Sequence, residues 1–205
     1  NDLRAAPGFF DLGNQRAQDG IQLKWLAPTD LFAEVGVEAG SGRAFPATTR
    51  QANGLNAATA FVHLGNDVGD SASWRAGLSY LHADAENRRY DDTDGDGNAV
   101  SNAFNGTSKT WVADFTWKWA PHGNATERQW KLQGEYLHRD ERGTLRFDAD
   151  ATALSLPYLS RQSAWYLQTV YQFAPRWRVG LRYDALDSGR FPLGSALPQG
   201  LSPAA

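Results

Sequence analysis

Residues 92–97 read Asp92-Thr-Asp94-Gly-Asp96-Gly97, the first half of a calcium loop of the form D-x-D-x-D-G. Alternating aspartates turn several carboxylates onto one hard cation, and the glycine permits the tight bend. Position twelve of such a loop is Ala103 here, where a bidentate glutamate belongs. Two expectations follow for the 86–108 segment: a Ca²⁺ site on Asp92, Asp94 and Asp96, or an acidic, solvated loop. His82 with Asp84 and Glu86 has the residue types of a zinc site. His63, His122 and His138 show no metal-ligand spacing and read as interfacial or turn residues. For catalysis, G-x-S-x-G, a nucleotide loop and H-E-x-x-H are all missing, and His138 with Asp140 is too little for a triad. The chain is expected not to be an enzyme.

A second set of charges is spaced by two. Lys24, Glu34, Glu38, Arg75, Asp114, Lys118, Lys131, Glu135, Arg178, Arg182 and Asp184, together with Gln22 and Arg139, alternate with apolar residues. On a β-strand that spacing puts them all on one face. Lining a large barrel, they would set the ion selectivity of a wet lumen; in a small one they would pair into a polar core. Gly36, Gly77 and Gly180 fall on the same face and leave space there.

The elements that must carry these residues are strands. Trp74-Arg-Ala-Gly-Leu-Ser-Tyr80, Trp130-Lys-Leu-Gln-Gly-Glu-Tyr136 and Trp177-Arg-Val-Gly-Leu-Arg-Tyr183 repeat one pattern, a Trp and a Tyr six residues apart with a cation after the Trp. Alternation predicts eight strands, at 21–27, 31–39, 57–65, 74–85, 109–120, 129–140, 163–174 and 177–186. Six residues of strand span roughly 20 Å, so the paired aromatics border an apolar band. An apolar band between aromatic girdles is how a transmembrane β-barrel meets its bilayer. Trp25, Trp74, Tyr80, Trp119, Trp130, Tyr136, Trp177 and Tyr183 are the expected interface aromatics.

Connections alternate in length. Pro28–Asp30, Asn66–Ser73, Pro121–Arg128 and Pro175–Arg176 are short, and three of them start with Ala-Pro, where a strand must stop. Gly40–Asn56, Glu86–Ser108 and Glu141–Gln162 are long and polar. Short turns on one side and long loops on the other fit an antiparallel up-and-down transmembrane barrel with the short turns in the periplasm. Residues 1–20 then form an irregular segment or loop, 21–189 the barrel strands and 190–205 a loop or disordered tail. Both ends of the strand region would emerge outside, whereas whole barrels begin and end in the periplasm. The eight strands are therefore expected to be part of a larger barrel. A self-contained eight-stranded barrel with frayed ends and a soluble all-β binding domain are the alternatives.

Composition is compatible with this. The chain has 205 residues, net charge −3, no Cys and no Met. Its mean hydropathy is −0.53, which suits a soluble protein or a barrel with a wet interior. No apolar run reaches the 18 residues of a membrane helix. Without an initiator Met the chain reads as a processed or excised piece. Charge near neutrality gives no basis for nucleic-acid binding.

The stretches Trp25-Leu-Ala-Pro-Thr-Asp-Leu-Phe-Ala-Glu-Val-Gly-Val-Glu-Ala-Gly-Ser-Gly-Arg-Ala-Phe-Pro46 and Leu64-Gly-Asn-Asp-Val-Gly-Asp-Ser-Ala-Ser-Trp-Arg-Ala-Gly-Leu-Ser-Tyr-Leu81 resemble a Gram-negative, porin-like outer-membrane family. Some of its members are labelled zinc-regulated TonB-dependent outer-membrane receptors. The resemblance runs over about 20–189 and implies an outer-membrane barrel that passes or takes up a small solute or metal ion. The partners it implies are the lipid bilayer with its lipopolysaccharide and that solute. Neither a plug nor a TonB-box is visible here, so dependence on TonB stays open. A structural or adhesive barrel, with loops that bind partners and no open pore, is the competing reading.

Overall fold

The computed structural model describes residues 20–41, 56–93, 97–151 and 154–189. They form eight antiparallel strands: β1 (Gly20–Leu26), β2 (Phe32–Gly40), β3 (Ala57–Val68), β4 (Ala72–Thr93), β5 (Ala99–Trp119), β6 (Gln129–Phe147), β7 (Leu154–Ala174) and β8 (Trp177–Asp187). Each strand pairs with its sequence neighbours in one up-and-down sheet, ordered β1 to β8. Among the described residues β1 pairs with β2 alone and β8 with β7 alone, so this sheet is not closed.

Every strand was anticipated near its place, but four of them are far longer than alternation alone indicates. The stretches 86–108 and 141–162, expected as polar loops, are mostly extended. β4 runs on to Thr93 and β5 begins at Ala99, while β6 reaches Phe147 and β7 starts at Leu154. A bulge between Ala85 and Arg88 lets β4 continue, with Asn87 at φ 52 and its N–H bonded to Asn105 Oδ1 at 2.8 Å. Pro157 sits in β7 opposite Thr144, beyond Ser163, where β8 no longer pairs. There its missing N–H breaks no ladder on the β8 side.

The short turns behave as their residues dictate. Pro121–Gly123 makes one 3-10 turn, with His122 and Gly123 both at positive φ. It is tied to the neighbouring turn by Ala120 N to Ser71 O at 2.8 Å and His122 N to Ser71 Oγ at 3.0 Å. At the opposite end Asp148 takes a left-handed φ of 46, and its N–H bonds Asn102 Oδ1 at 3.1 Å.

Register sorts the sheet into two faces. One carries Leu23, Trp25, Val37, Trp130, Leu167 and Leu181, all exposed, with no second layer over them among the described residues. The other is polar and curls inward. Thr59 of β3 and Tyr166 of β7 line one cavity of about 780 Å³ with residues of β4, β5 and β6. The tightest packing is not at mid-sheet but in the long ends of β4–β7, where Ala85, Phe104, Leu145 and Tyr158 cluster with Tyr90.

Candidate functional site

The inner face is the candidate site. Following the pairing from strand to strand, Lys24, Glu34, Glu38, Arg75, Asp114, Lys118, Lys131, Glu135, Arg178, Arg182 and Asp184 all project from this face. The eight aromatics expected at an interface, Trp25, Trp74, Tyr80, Trp119, Trp130, Tyr136, Trp177 and Tyr183, all project from the other. There they meet in two bands. Trp117 lies edge-on to Trp130 at 5.2 Å, Tyr80 packs on Trp111 at 4.6 Å, and Trp165 on Tyr183 at 5.3 Å. Trp130 Nε1 also donates to Thr169 Oγ1 at 2.7 Å, which satisfies its polar edge within an apolar surface.

On the inner face most carboxylates are matched locally. Lys24 Nζ lies 3.9 Å from Glu34, and Glu34 Oε1 lies 3.1 Å from His63 Nδ1. His63 Nε2 is 4.0 Å from Asp114, and Arg75 reaches Asp114 at 3.5 Å. The charges thus run in a line across five strands. Gly77 makes this line possible: a Cβ there would sit 2.1 Å from Asp114 Oδ2 and 2.6 Å from His63 Cδ2. His63, expected at the interface or in a turn, is a mid-strand member of this line. The Arg182 guanidinium lies over Tyr166 at 3.9 Å and grips Asp184 at 2.7 Å.

Sequence reasoning missed a second group, in the extended ends. Arg88 of β4 reaches over β5 to Glu141 of β6 with two bonds, of 2.6 and 3.0 Å, and covers the Phe104 ring at 4.6 Å. Glu141 is 1% exposed, and Arg139 Nε stands 3.9 Å away. Gly106 and Gly143 face each other between β5 and β6, with the Phe104 ring close over Gly106. Burial pushes the Glu141 carboxyl up, but the Arg88 hydrogen bonds and the Arg139 and Arg88 charges outweigh it and hold it below the ordinary glutamate value. Burial raises the Tyr90 and Tyr158 phenols, so both stay neutral. The available signal was the alternation Asn102, Phe104, Gly106, Ser108, Thr110, in phase with the inner face of β5.

The calcium expectation is left incomplete, because Asp94 and Asp96 lie outside the described residues. Asp92 is a β4 strand residue, and Asn102 Nδ2 donates to it at 3.4 Å. His82 lies 3.9 Å from Asp84 at the sheet's outer side. Among the described residues no three histidine, aspartate or glutamate side chains gather as a metal centre. The irregular segment expected at 1–20, apart from Gly20, and the tail at 190–205 lie outside the described residues as well.

Comparison with known proteins gives little more. No protein-family model matches the chain, and no solved structure matches it. It is similar to an uncharacterized protein of Aquifex aeolicus (strain VF5), 26% identical over 210 residues, covering 93% of this chain. The chain spans 41% of that relative's length.

Proposed function

We propose that this chain forms part of the wall of an outer-membrane β-barrel, and that its polar inner face borders a water-filled passage for a small solute or ion. The observation that carries this reading is the uncovered apolar face. Leu181 at 72% exposure and Trp177 at 68% belong to a surface far too greasy for water, bordered above and below by amphipathic rings. A soluble sandwich covers such a face with a second sheet, and the described residues supply none. The unpaired edges of β1 and β8 suit a sheet that continues on either side, since bare apolar edges are an aggregation hazard. The resemblance to porin-like outer-membrane proteins points the same way. This reading involves no catalytic chemistry.

Single-tryptophan variants of the full-length protein, refolded into vesicles of brominated lipid, test it. Trp130 and Trp177 fluorescence is expected to be strongly quenched. Unquenched rings, or rings buried against protein, would defeat the membrane assignment.

One observation favours a second reading, a structural or adhesive barrel with a closed interior. Arg88, Phe104 and Tyr158 fill the inner side of the extended ends. Ion conductance across a planar bilayer separates the two, because a closed barrel passes no current.

A further inference from the structure

We propose that Lys118 and Lys131 form a binding site for a small dissolved oxyanion, a phosphate or a carboxylate, on the inner face near the short-turn end. The site depends on the passage reading only for access by dissolved solute. Lys118 and Lys131 are direct cross-strand partners on β5 and β6, so their Cβ atoms leave the same face about 5 Å apart. Like charges placed opposite each other destabilise a sheet. Among the described residues neither ammonium has a carboxylate, hydrogen-bond or ring partner.

That isolation contrasts with the carboxylates of the same face. Glu34 holds His63, Asp114 holds Arg75, Asp184 holds Arg182, Glu38 accepts from Gln22 at 3.1 Å, and Glu135 bonds Tyr166. Each of these carboxylates has a polar partner where it stands, and the two lysines stand two rows nearer the short turns than Asp114 and Glu135. The row beside the lysines holds Arg75, Thr116, Gln133 and Gln168, all with N–H or O–H donors and all lining the same cavity. From β4 to β8 neither row contains a carboxylate. Asp67 shares the lysine row on β3, two strands from Lys118 or roughly 10 Å, and forms no ion pair with it. An oxyanion between the two ammonium groups removes their repulsion and takes charge-assisted bonds from both. The lipid-phosphate alternative is disfavoured by position, because the aromatic bands lie on the opposite face.

The test uses full-length protein refolded in a phosphate-free, non-ionic detergent. Inorganic phosphate is titrated at constant ionic strength against chloride, by calorimetry and by the midpoint of heat-modifiable unfolding. Phosphate is expected to bind and to raise that midpoint. Lys131→Gln is expected to weaken binding about tenfold, the loss of one charge-assisted bond. The double variant Lys118→Gln/Lys131→Gln should abolish the phosphate shift and raise the midpoint in phosphate-free buffer, where the repulsion is gone. Lys109→Gln, on the other face, is the control that leaves both unchanged. No phosphate shift in the wild type, or an equal shift in the double variant, overturns the site. Planar-bilayer current is recorded on the same protein. Phosphate binding without current defeats the passage and leaves the site standing, whereas current without phosphate binding does the reverse.

Discussion

Removing Arg88 leaves a carboxylate stranded. Glu141 is 1% exposed and its two oxygens take Arg88 bonds of 2.6 and 3.0 Å, so Arg88→Ala leaves Arg139, 3.9 Å away, as the cation beside it. Breaking a buried pair from one side costs about 3–5 kcal/mol. The remaining Arg139 argues for the lower end, and loss of the cation over Phe104 adds about 1 kcal/mol. Local opening of the extended ends should therefore rise by more than about 100-fold, at about 1.4 kcal/mol per decade. Hydrogen exchange of the full-length protein in vesicles reads this directly. Amides of 83–92, 100–108 and 139–147 should lose protection, while those of 74–80 and 111–117 should keep it. Arg88→Met/Glu141→Leu, which removes both charges, should return to within about 1 kcal/mol of wild type. The reasoning fails if Arg88→Ala changes protection by less than about 0.5 kcal/mol. It fails equally if the double variant loses as much as the single one, because the cost would then lie in packing and not in charge.

The same pair predicts a pH response. The folded Glu141 carboxyl titrates below its unfolded value, so its contribution is complete above the ordinary glutamate pKa of about 4.3. It is lost as the pH falls further, through the lower folded value, and exchange at 139–147 should accelerate in that window and not at pH 6. Gly106→Ala puts a Cβ 2.2 Å from the Arg142 carbonyl oxygen and 2.7 Å from Gly143 Cα, both backbone, at a cost of about 1–3 kcal/mol. Gly180→Ala meets nothing closer than 3.4 Å and should stay within about 0.5 kcal/mol by urea midpoint; equal losses would contradict the strand approach. Trp130→Phe and Thr169→Val each remove the 2.7 Å bond between them, and a double-mutant cycle should give a coupling of about 1 kcal/mol. A coupling near zero would mean that the bond contributes nothing to stability.

The eight strands and their two faces were legible because a 2.0-residue period needs only polar and apolar positions to take turns, as Trp111, Ala113, Phe115 and Trp117 do with Val112, Asp114 and Thr116 between them. The extended ends were not legible. In Glu86, Asn87, Arg88, Arg89, Tyr90, Asp91 and Asp92 charge occurs on both faces, and the bulge at Ala85/Arg88 shifts the phase midway. Glycine, asparagine and aspartate in such a stretch read as loop, although Gly106 and Gly143 are there to let two strand backbones and the Phe104 ring come close. Pairings across a strand, such as Arg88 with Glu141 or His63 with Asp114, depend on register, which local pattern does not supply.

Where the pattern fails, the outer face has changed from apolar to polar. Between Trp74 and Tyr80, and between Trp130 and Tyr136, apolar side chains point outward and polar ones inward. Past those tyrosines the outer face turns polar: Asp84, Arg89, Asp140 and Arg161 stand on it, while the inner face buries Ala83, Phe104, Leu145 and Tyr158 beside the Arg88–Glu141 bridge. A soluble sheet has no reason to turn one face from apolar to charged partway along continuous strands, because water and core stay on the same sides throughout. A strand that leaves a bilayer has such a reason, since its outer surroundings change from hydrocarbon to water at one height. This change comes just beyond Tyr80, Trp111, Tyr136 and Trp165, the rings that favour the headgroup level. It supports the membrane reading independently of the tryptophans, since it rests on where charges begin and not on where aromatics end. Moving a charge to the wrong side of that line is the corresponding test. Leu78→Arg, below the line, should impair insertion by about 2–4 kcal/mol, whereas Asp84→Arg, above it on the same face, should be tolerated. Equal tolerance at both positions, measured by refolding into vesicles, would mean that no bilayer edge crosses these strands.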